Sequence, residues 1–278
     1  MLKRHSMDVV TAPVLFNRQE TGSVRRLGLA YDALSRGARA ARFVMLAFED
    51  ATRHLIPRPF SISDVCTRED GTVVTEILYK PIGRVTEMMC GLGEGDGLRV
   101  GGLLGNGFPA PSDGRRPVLI AGGIGNAPFA YQVRELVAGS EAADPSRILL
   151  LLAGRSADDV WIQEATRAAG ITVVEVTDDG SRGEPGLVTD ALLRRLDDLG
   201  PIEAYVCGPE PMLRAVAAIA LEHGFPCWLS AEERMACGYG VCNACVVEQR
   251  CGDEPRGEGW YLKSCVEGPV FEAREIHL

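Results

Sequence analysis

The stretch VLIAGGIGNAPFAYQVRELVAG, residues 118–139, turns from an apolar run into a helical pattern across a cluster of glycines. Its first six residues are apolar or glycine without alternation, which is typical of a strand buried on both faces of a parallel sheet. Its last part, residues 128–139, repeats apolar side chains at helical spacing. We therefore predict a strand, a tight turn and a helix, the basic unit of an α/β domain.

The same alternation of strand and helix continues further along the chain. Strands are predicted at 147–154, 171–177 and 204–208, and helices at 158–170, 188–199 and 209–224. Because such a series forms a parallel sheet with helices on its faces, we expect a doubly wound α/β domain. The alternation stops at Phe225, so residues 113–225 are assigned to this domain.

The part of the chain before this domain has a different pattern. Short β-rich runs at 42–48 and 72–80 are separated by glycine and proline, which is typical of a small antiparallel barrel or sandwich. The polar stretch at 111–117 predicts a linker. We therefore expect three domains, with the barrel at 1–112 and a cysteine-rich domain at 226–278.

Length, composition and charge narrow the class of function. The chain has 278 residues, of which 46% are hydrophobic and 24% charged, enough for two domains and a small third one. Its net charge of −9 argues against nucleic-acid binding, so the basic region from Arg18 to Arg42 is interpreted as a solvated face or a partner surface. Neither a secretory signal nor an apolar run of about 20 residues is visible, so we expect a cytoplasmic protein without a membrane span.

Three cysteines crowd into ACGYGVCNAC, residues 236–245. Cys237, Cys242 and Cys245 have the spacing C-x4-C-x2-C, by which plant-type ferredoxins bind a [2Fe–2S] cluster together with a more distant cysteine. The glycines and alanine between them leave room for the loop to wrap around the irons. Structural zinc is the alternative, but zinc sites favour two C-x2-C pairs and only one is present.

Two cysteines compete for the fourth ligand position. Cys251 follows in a polar run, whereas Cys265 stands between apolar residues that are able to fold back over a cluster. We therefore favour Cys265. The remaining Cys66, Cys90 and Cys227 have no motif around them and are interpreted as structural.

Two glycine-rich turns mark the carboxyl ends of predicted strands. Gly122, Gly123 and Gly125 precede a helix, where free N–H groups and the helix dipole favour a pyrophosphate. CGPEPML, residues 207–213, is a second strand-to-helix turn of the same sheet. The first turn departs from G-x-G-x-x-G, and a turn made only for packing is the alternative. Two such turns at one sheet edge favour a nucleotide site.

The barrel region carries two motifs of its own. RPFSISDV, residues 58–65, places Arg58 and Ser61 on an alternating strand, where Arg58 is able to pair with a pyrophosphate and Ser61 to bond a ring. The alternative is a strand with a solvated arginine. GGLLGNGF, residues 101–108, is too rich in glycine for a plain strand and predicts close turns.

The order of these motifs resembles a known family. RPFSI, LYK…T, LLGNGF, GGIGNAPF, CGPEPML and a C-x4-C-x2-C…C tail are similar to the electron-transfer subunits of class 1B dihydroorotate dehydrogenase, in the ferredoxin-NADP reductase superfamily. The resemblance covers about residues 42–272 and is strongest in SAEERMACGYGVCNACVV and KSCVEGPVF. It implies a multidomain protein with an antiparallel β-barrel FAD domain, an α/β parallel-sheet NAD domain and a small C-terminal [2Fe–2S] domain.

The resemblance also implies the residues of each site. FAD contacts are implied for Arg58, Pro59, Phe60, Ser61, Leu78, Tyr79, Lys80, Val85 and Thr86. NAD contacts are assigned to Gly122, Gly123, Gly125, Asn126, Asp178, Gly208 and Pro209, with Cys207 as the catalytic residue beside the nicotinamide. The iron ligands are Cys237, Cys242, Cys245 and Cys265.

Three motifs depart from the family pattern. G-x-G-T reads Gly83-Arg84-Val85-Thr86, G-P-L-G reads Gly102-Leu103-Leu104-Gly105, and P-G-Q-F reads Ala40-Ala41-Arg42-Phe43. The first departure removes the second glycine of a predicted phosphate approach.

The implied function is that of an NAD-linked oxidoreductase subunit. Electrons pass between a partner, the cluster, FAD and NAD, because a flavin exchanges both hydride and single electrons. The implied partner is a separate FMN-containing catalytic subunit, in a hetero-oligomer of pyrimidine biosynthesis. The alternatives are the flavin subunit of another NAD(P)H–ferredoxin oxidoreductase or hydrogenase complex, and a redox-sensing module.

The end of the strand at 171–177 predicts the choice of nucleotide. Asp178 and Asp179 follow it, and an acidic side chain there accepts from a ribose hydroxyl and repels a 2′-phosphate. Arg182 is close enough in sequence to neutralise the two acids, and a plain turn is the other alternative. We expect NAD(H) to be preferred over NADP(H).

Overall fold

Seven antiparallel strands form the first sheet of the computed structural model, which describes residues 8–50, 56–112, 114–138, 144–250 and 260–278. They are β1 (Val9–Thr21), β2 (Val24–Ala30), β3 (Phe43–Phe48), β4 (Arg58–Ser61), β5 (Asp64–Thr67), β6 (Val73–Tyr79) and β7 (Gly97–Leu104). Their spatial order is β4-β3-β7-β1-β2-β6-β5, with a short helix α1 (Arg84–Met89) between β6 and β7 in the chain. The predicted antiparallel barrel is thereby confirmed, as a half-barrel.

The rest of the chain forms a parallel sheet and a small antiparallel one. Its strands are β8 (Arg116–Gly122), β9 (Leu149–Gly154), β10 (Thr172–Thr177), β11 (Glu184–Pro185), β12 (Ile202–Cys207), β13 (Cys227–Ser230), β14 (Val246–Gln249), β15 (Tyr261–Lys263), β16 (Val270–Glu272) and β17 (Ile276–His277). Its helices are α2 (Phe129–Ala138), α3 (Glu164–Ala168), α4 (Val188–Leu193), α5 (Leu196–Leu199) and α6 (Glu210–His223).

The larger of these sheets has the order β11-β10-β9-β8-β12-β13-β16. All its neighbours are parallel except β13 and β16, so the predicted α/β class is confirmed. The smaller sheet, β15-β14-β17, belongs to the cysteine-rich end. Among the described helices, none combines the length and the apolar character that crossing a bilayer requires.

The parallel sheet continues beyond Phe225, where the sequence pattern indicated its end. β13 pairs in parallel with β12, with Cys227 opposite Ala204. The strand is short and buried, so neither its length nor its hydrophobic periodicity predicted it from the sequence. The predicted domain boundary between 225 and 226 falls directly before this strand.

Two predicted helices are shorter in the structure. The helix expected at 158–170 reduces to α3, because residues 160–163 lie outside any helix and the side chains of Trp161 and Gln163 are buried there. The helix expected at 188–199 divides into α4 and α5 at Arg194, where both Arg194 and Arg195 bind the carboxylate of Glu184. Tertiary contacts decide both changes, which local periodicity does not report.

The basic region from Arg18 to Arg42 is not simply a solvated face, which corrects the sequence interpretation. Arg26 is 7% exposed and pairs with Glu20 at 2.7 Å and with Glu76 at 2.5 Å. Arg42 donates to the carbonyl oxygens of Gly37, Leu103 and Gly105. Charges of this kind are tolerated inside a protein only when they are paired and hydrogen-bonded.

One apolar core extends from the half-barrel to one face of the parallel sheet. Phe108, from the GGLLGNGF motif, connects the two parts. Its ring stacks on Phe129 of α2 with centroids 5.9 Å apart and meets the edge of Tyr205 of β12 at 5.5 Å. The half-barrel and the parallel sheet therefore pack directly on each other, and the edge between them is where the candidate sites lie.

Candidate active site and cysteine pairs

A cleft of about 650 Å³ opens at the carboxyl ends of β8, β9, β10 and β12, and we name it the first cleft. Six of the predicted nucleotide contacts lie in its wall: Gly122, Gly123, Gly125, Asp178, Gly208 and Pro209. Strand ends of a parallel sheet are where nucleotides bind, because the N–H groups of the following helices face the crevice. The structure thus brings these six residues together at one edge of the sheet.

Gly125 shows why the turn after β8 needs glycine. A Cβ atom at this position would lie 2.2 Å from the carbonyl oxygen of Cys207. The short 3-10 helix Gly123–Asn126 therefore packs directly on the end of β12. This close approach brings together the two glycine-rich turns that were predicted from the sequence.

Asn126, in the same turn, points away from the cleft. Its side chain is fully buried, and its Nδ2 donates to the carbonyl oxygen of Trp161 at 2.9 Å. Its own carbonyl oxygen accepts from Nε2 of Gln163 at 2.7 Å. The structure does not bring the Asn126 side chain to the predicted nucleotide site; the residue anchors the turn to the segment before α3.

The acidic end of β10 faces the first cleft through Asp178, while Arg182 is held elsewhere. Nε and Nη2 of Arg182 contact the carboxylate of Glu175 at 3.0 and 2.6 Å, and Nη1 donates to Val160 at 3.2 Å. Arg155, which the sequence analysis missed, also lines the cleft with a side chain that is 88% exposed. Its position directly after β9 is the one sequence feature that could have predicted a place in the cleft.

A second cleft, of about 310 Å³, lies between the half-barrel and the same sheet edge. The predicted FAD contacts in its wall are Pro59, Phe60, Ser61, Leu78, Tyr79, Lys80 and Thr86. Phe43, Ile124 and Met235 add apolar surface that the sequence analysis did not identify. Aromatic and apolar walls with a few polar groups suit a flat ring with polar edges.

Two predicted FAD contacts do not line this second cleft. Arg58 donates from Nη1 to the carbonyl oxygens of Ile56 at 3.1 Å and Pro57 at 3.4 Å. Val85, in the first turn of α1, packs against the apolar core. Both residues therefore make their described contacts within the half-barrel region and not in the wall of the second cleft.

The two clefts are neighbours, because Lys80, Ile124 and Glu232 line both of them. Nζ of Lys80 pairs with Asp159 at 2.9 Å, and this hydrogen bond lowers the pKa of Asp159. Glu232 is exposed at the junction of the two clefts, and partial desolvation of its carboxyl group raises its pKa. No local motif marks Glu232 in the sequence, because its place between the two clefts depends on the tertiary structure.

Cys207 ends β12 and lines the second cleft. Its side chain is 1% exposed, and burial raises the pKa of its thiol. A thiol that stays protonated is a poor nucleophile, so covalent chemistry is disfavoured at this position. A neutral, compact side chain at the end of a strand instead suits contact with a bound ring.

The four predicted iron ligands lie in two pairs. The N–H of Cys242 donates to Sγ of Cys237 at 3.5 Å, and Cys245 and Cys265 lie together in one buried cluster. Within the described part of the chain, no three or more Cys, His, Asp or Glu side chains are placed to share a single metal ion. Pairs of thiols match a binuclear cluster, in which each iron takes two cysteines.

The surroundings of Cys237 favour its thiolate form. Although burial opposes ionisation, N–H groups of Cys242, Tyr239 and Val241 lower the pKa of Cys237 to about 7. The thiolate is the form that binds metal. Cys251, the rival fourth ligand, lies outside the described residues.

Cys245 and Cys265 are buried against the half-barrel, whereas Cys242 is exposed. The buried pair forms an apolar cluster with Phe43, Met45 and Leu104 of β3 and β7. Gly238, at φ +81°, lies so close to Met45 that a Cβ atom would come within 2.6 Å of its Cγ. Since Phe43 also lines the second cleft, the cysteine pairs and that cleft share a wall.

Comparison with known proteins identifies the family. Residues 232–277 match the iron-sulfur cluster binding domain of dihydroorotate dehydrogenase B, and residues 119–218 match an oxidoreductase NAD-binding domain. The electron transfer subunit of dihydroorotate dehydrogenase B (NAD(+)) from Bacillus velezensis is 35% identical over 85% of this chain and 86% of its own length. The Geobacillus thermodenitrificans subunit is 32% identical over the full length of both chains.

The chain belongs to the family of dihydroorotate dehydrogenase B electron transfer subunits. The resemblance that its motif order indicated is therefore confirmed, and so is its place among NAD-linked oxidoreductase subunits. The iron-sulfur match spans all four predicted ligands, from before Cys237 to beyond Cys265. An iron-sulfur site is thus established for this region, which overturns the zinc alternative.

Solved structures show the same fold for this family member. A structure of an NADH-dependent reduced ferredoxin-NADP oxidoreductase, studied for flavin-based electron bifurcation, has a TM-score of 0.78. It is 23% identical and covers 96% of this chain and 89% of its own. A cytochrome P450 reductase from Amycolatopsis has a TM-score of 0.60 and 27% identity over 78% of this chain and 67% of its own.

Proposed function

We propose that this subunit passes electrons between NAD(H) and a catalytic dihydroorotate dehydrogenase subunit, with FAD and a [2Fe–2S] cluster as its carriers. One observation supports this most strongly: the three sites are contiguous. The two clefts share Lys80, Ile124 and Glu232, and the second cleft shares Phe43 with the wall of the buried cysteine pair.

The first cleft is the proposed nicotinamide-nucleotide site. Gly122, Gly123 and Gly125 expose backbone near the start of α2, where a pyrophosphate is favoured. Gly208 and Pro209 form the neighbouring turn at the start of α6. Glu232, which lines both clefts, would lie beside a nucleotide bound along this edge, and Cys207 lines the second cleft next to it.

The second cleft is the proposed FAD site, in a domain that we place at residues 1–112. Pro59, Phe60, Tyr79 and Thr86 line it, and Lys80 supplies a positive charge at its junction with the nucleotide cleft. When bound there, FAD would supply the exchange between hydride and single electrons. The chain's own contribution is to hold the ring against apolar walls that exclude water.

The cysteine pairs are the proposed [2Fe–2S] ligands, in a domain at residues 226–278 that follows an NAD domain at 113–225. Cys237 and Cys242 would hold one iron, and Cys245 and Cys265 the other. Cys242 is exposed and Cys237 half-buried, whereas Cys245 and Cys265 are buried against the half-barrel. A partner would therefore approach the cluster from the side of Cys242.

The proposed partner is an FMN-containing catalytic subunit, and the assembly is a hetero-oligomer that serves pyrimidine biosynthesis. The relatives are named as electron transfer subunits of dihydroorotate dehydrogenase B, which supports such a partner. Thiol ligands stay reduced in the cytoplasm, which is where we expect the complex to work.

The test is reconstitution from separately purified parts. The subunit, isolated without oxygen, should contain two iron and two labile sulfide per chain, as a [2Fe–2S] cluster requires. Added to a purified FMN-containing dihydroorotate dehydrogenase subunit, it should confer dihydroorotate oxidation with NAD⁺ as acceptor. A subunit that contains iron but does not confer this activity, and that instead transfers electrons to ferredoxin or to a hydrogenase, would belong to another electron-transfer complex.

NAD(H) is the proposed nucleotide in preference to NADP(H). Asp178 faces the cleft, and Arg182 is engaged by Glu175 and is not placed to neutralise it. Arg155 and Lys80 are the cations of the described residues in this wall, and Lys80 pairs with Asp159. The ratio of kcat/KM for NADH and NADPH with a dye acceptor tests the proposal. Asp178→Asn should narrow the ratio, and a wild-type preference for NADPH would contradict it.

A further inference from the structure

Asn106, in the glycine-rich motif GGLLGNGF, makes four hydrogen bonds to one short segment of the cysteine-rich end. Its N–H donates to the carbonyl oxygen of Gly268 at 2.7 Å. Its Nδ2 donates to the carbonyl oxygens of Glu267 and Val270 at 2.9 and 2.8 Å. Its Oδ1 accepts from the N–H of Val270 at 2.9 Å. One asparagine therefore uses both ends of its amide on the backbone of residues 267–270.

This segment, residues 267–270, lies between an iron ligand and the second cleft. Cys265 stands two positions before Glu267, and Pro269 lines the second cleft. On its other side the segment joins the parallel sheet, because the N–H of Ala231 donates to Pro269 at 2.9 Å. Movement of the segment would therefore change the position of Cys265 relative to the cleft.

The bonds made by Asn106 are unlike the other contacts of the cysteine-rich end with the half-barrel. Phe43, Met45 and Leu104 contribute apolar packing, which has no direction. Hydrogen bonds to backbone groups fix both the distance and the orientation of the segment. Asn106 itself is exposed, so its replacement leaves no buried hole in the half-barrel.

We propose that Asn106 is a positioning residue that docks segment 267–270 on the half-barrel and so sets the distance between the cysteine pairs and the second cleft. This inference rests on the proposed function, in which electrons cross that distance. Electron tunnelling slows steeply as the gap between carriers widens. A small displacement of the segment therefore affects electron passage before it affects folding or the nucleotide cleft.

The first test measures docking without any turnover. In Asn106→Ala, hydrogen exchange at the N–H of Val270 should quicken about tenfold, since several hydrogen bonds to one segment are lost. Asn106→Asp keeps the acceptor for Val270 but turns a charged oxygen towards two carbonyl groups, so it should also quicken exchange. Gln19→Ala is the matched control, because its amide bonds the carbonyl oxygens of Thr21, Gly22 and Val24 in the β1–β2 turn.

The second test separates positioning from a merely structural role. After anaerobic mixing with NADH, the Asn106→Ala protein should reduce its flavin at the wild-type rate but its iron centre several-fold more slowly, because the resting position of the segment shifts away from the second cleft and electron tunnelling slows steeply with distance. Iron and FAD contents should stay at wild-type values. Gln19→Ala should leave both phases unchanged.

Each outcome has one meaning. Unchanged exchange at Val270, or unchanged electron passage to iron despite faster exchange, overturns the role of Asn106. Loss of iron with normal exchange assigns the effect to ligation and overturns it as well. If the wild-type protein passes no electrons from NADH to iron, the proposed function fails, while the exchange measurement still decides whether Asn106 docks the segment.

Discussion

The half-barrel has two interfaces that are built on different physical principles. Against the parallel sheet it adds charged and buried polar side chains to the shared apolar core, and Gln163 lies at their centre. Oε1 of Gln163 accepts from Arg26 and Ser63 at 3.1 Å each, and Nε2 donates to the carbonyl oxygens of Asn126 and Ala127 at 2.7 and 3.4 Å. This network ties the barrel to the turn between the two clefts.

Against the cysteine-rich end the half-barrel uses apolar contact and bonds to backbone. Met45 and Leu104 pack on the buried cysteine pair, Gly238 allows the loop to approach, and Asn106 binds segment 267–270. None of these residues carries a charge. Ion pairs depend on pH and salt, whereas apolar packing and backbone bonds do so much less.

The two interfaces are therefore stabilised by different kinds of contact. The network around Gln163 depends on a few buried polar groups, and removing one partner leaves others unsatisfied. The cysteine-rich interface depends on close packing, so its stability is sensitive to the shape of the side chains. Substitutions that remove charge should damage the first interface most, and substitutions that add volume should damage the second.

Arg26→Leu should have the largest effect. Arg26 is buried and pairs with Glu20 and Glu76, so its loss leaves two largely buried carboxylates without their cation. We expect a loss of about 3–5 kcal/mol in the free energy of unfolding. Urea unfolding followed by circular dichroism measures it. Arg25→Leu, in the same strand but with neutral partners, should cost far less; equal losses would show that burial of the ion pairs is unimportant.

Gln163→Leu should come next, because it removes four hydrogen bonds, two to the half-barrel and two to the turn after β8. We expect a loss of about 2–3 kcal/mol in the free energy of unfolding, since the buried carbonyl groups of Asn126 and Ala127 lose a donor. Gln132→Leu is the control: Gln132 is 2% exposed, and its amide atoms have no hydrogen-bond partner within the described residues. That variant should be neutral or stabilising, and a comparable loss in both would refute the network.

Gly238→Ala tests the second interface by adding volume. The backbone has φ +81°, and the new methyl group would meet Met45 at 2.6 Å, so we expect a loss of about 2 kcal/mol. The double variant with Met45→Ala should recover part of it by making room. Thermal unfolding of the four proteins forms the cycle, and strictly additive losses would mean that the contact with Met45 is not the cause.

The pair formed by Lys80 and Asp159 should have the smallest effect, below about 1 kcal/mol, since both side chains are partly exposed. The hydrogen bond from Lys80 lowers the pKa of Asp159 below its usual 3.8. Stability from this pair is therefore present above pH 4 and lost as pH falls through the lowered value. Asp159→Asn should reduce stability slightly at pH 7, and the difference from wild type should shrink progressively as the pH falls below 4, as measured by urea unfolding across this range. A difference that stays constant as the pH falls would contradict this assignment.

Much of the candidate site could be predicted from local sequence. The glycines of the first cleft stand in strand-to-helix turns, which a short motif reveals, and the structure places Gly122, Gly125 and Gly208 in one wall. The cysteine spacing likewise predicted the thiol pairs. Contacts between distant parts of the chain carried no such signal. Asn126 was assigned to the nucleotide by its motif, and its side chain in the structure is buried and bonded to Trp161, 35 positions away. The cofactor contacts assigned to Arg58 and Asn126 stay predictions.

The sequence by itself determined the α/β alternation, the antiparallel half-barrel, the iron-sulfur tail and the family, because each depends on periodicity or on residues close together in the chain. Only the tertiary structure decided that β13 extends the parallel sheet, that Glu232 lies at the junction of two clefts, and that Asn106 meets segment 267–270. Asn106 and Val270 are 164 positions apart in the chain. Contacts at such separation depend on how whole sheets pack, and side-chain periodicity contains no information about that packing.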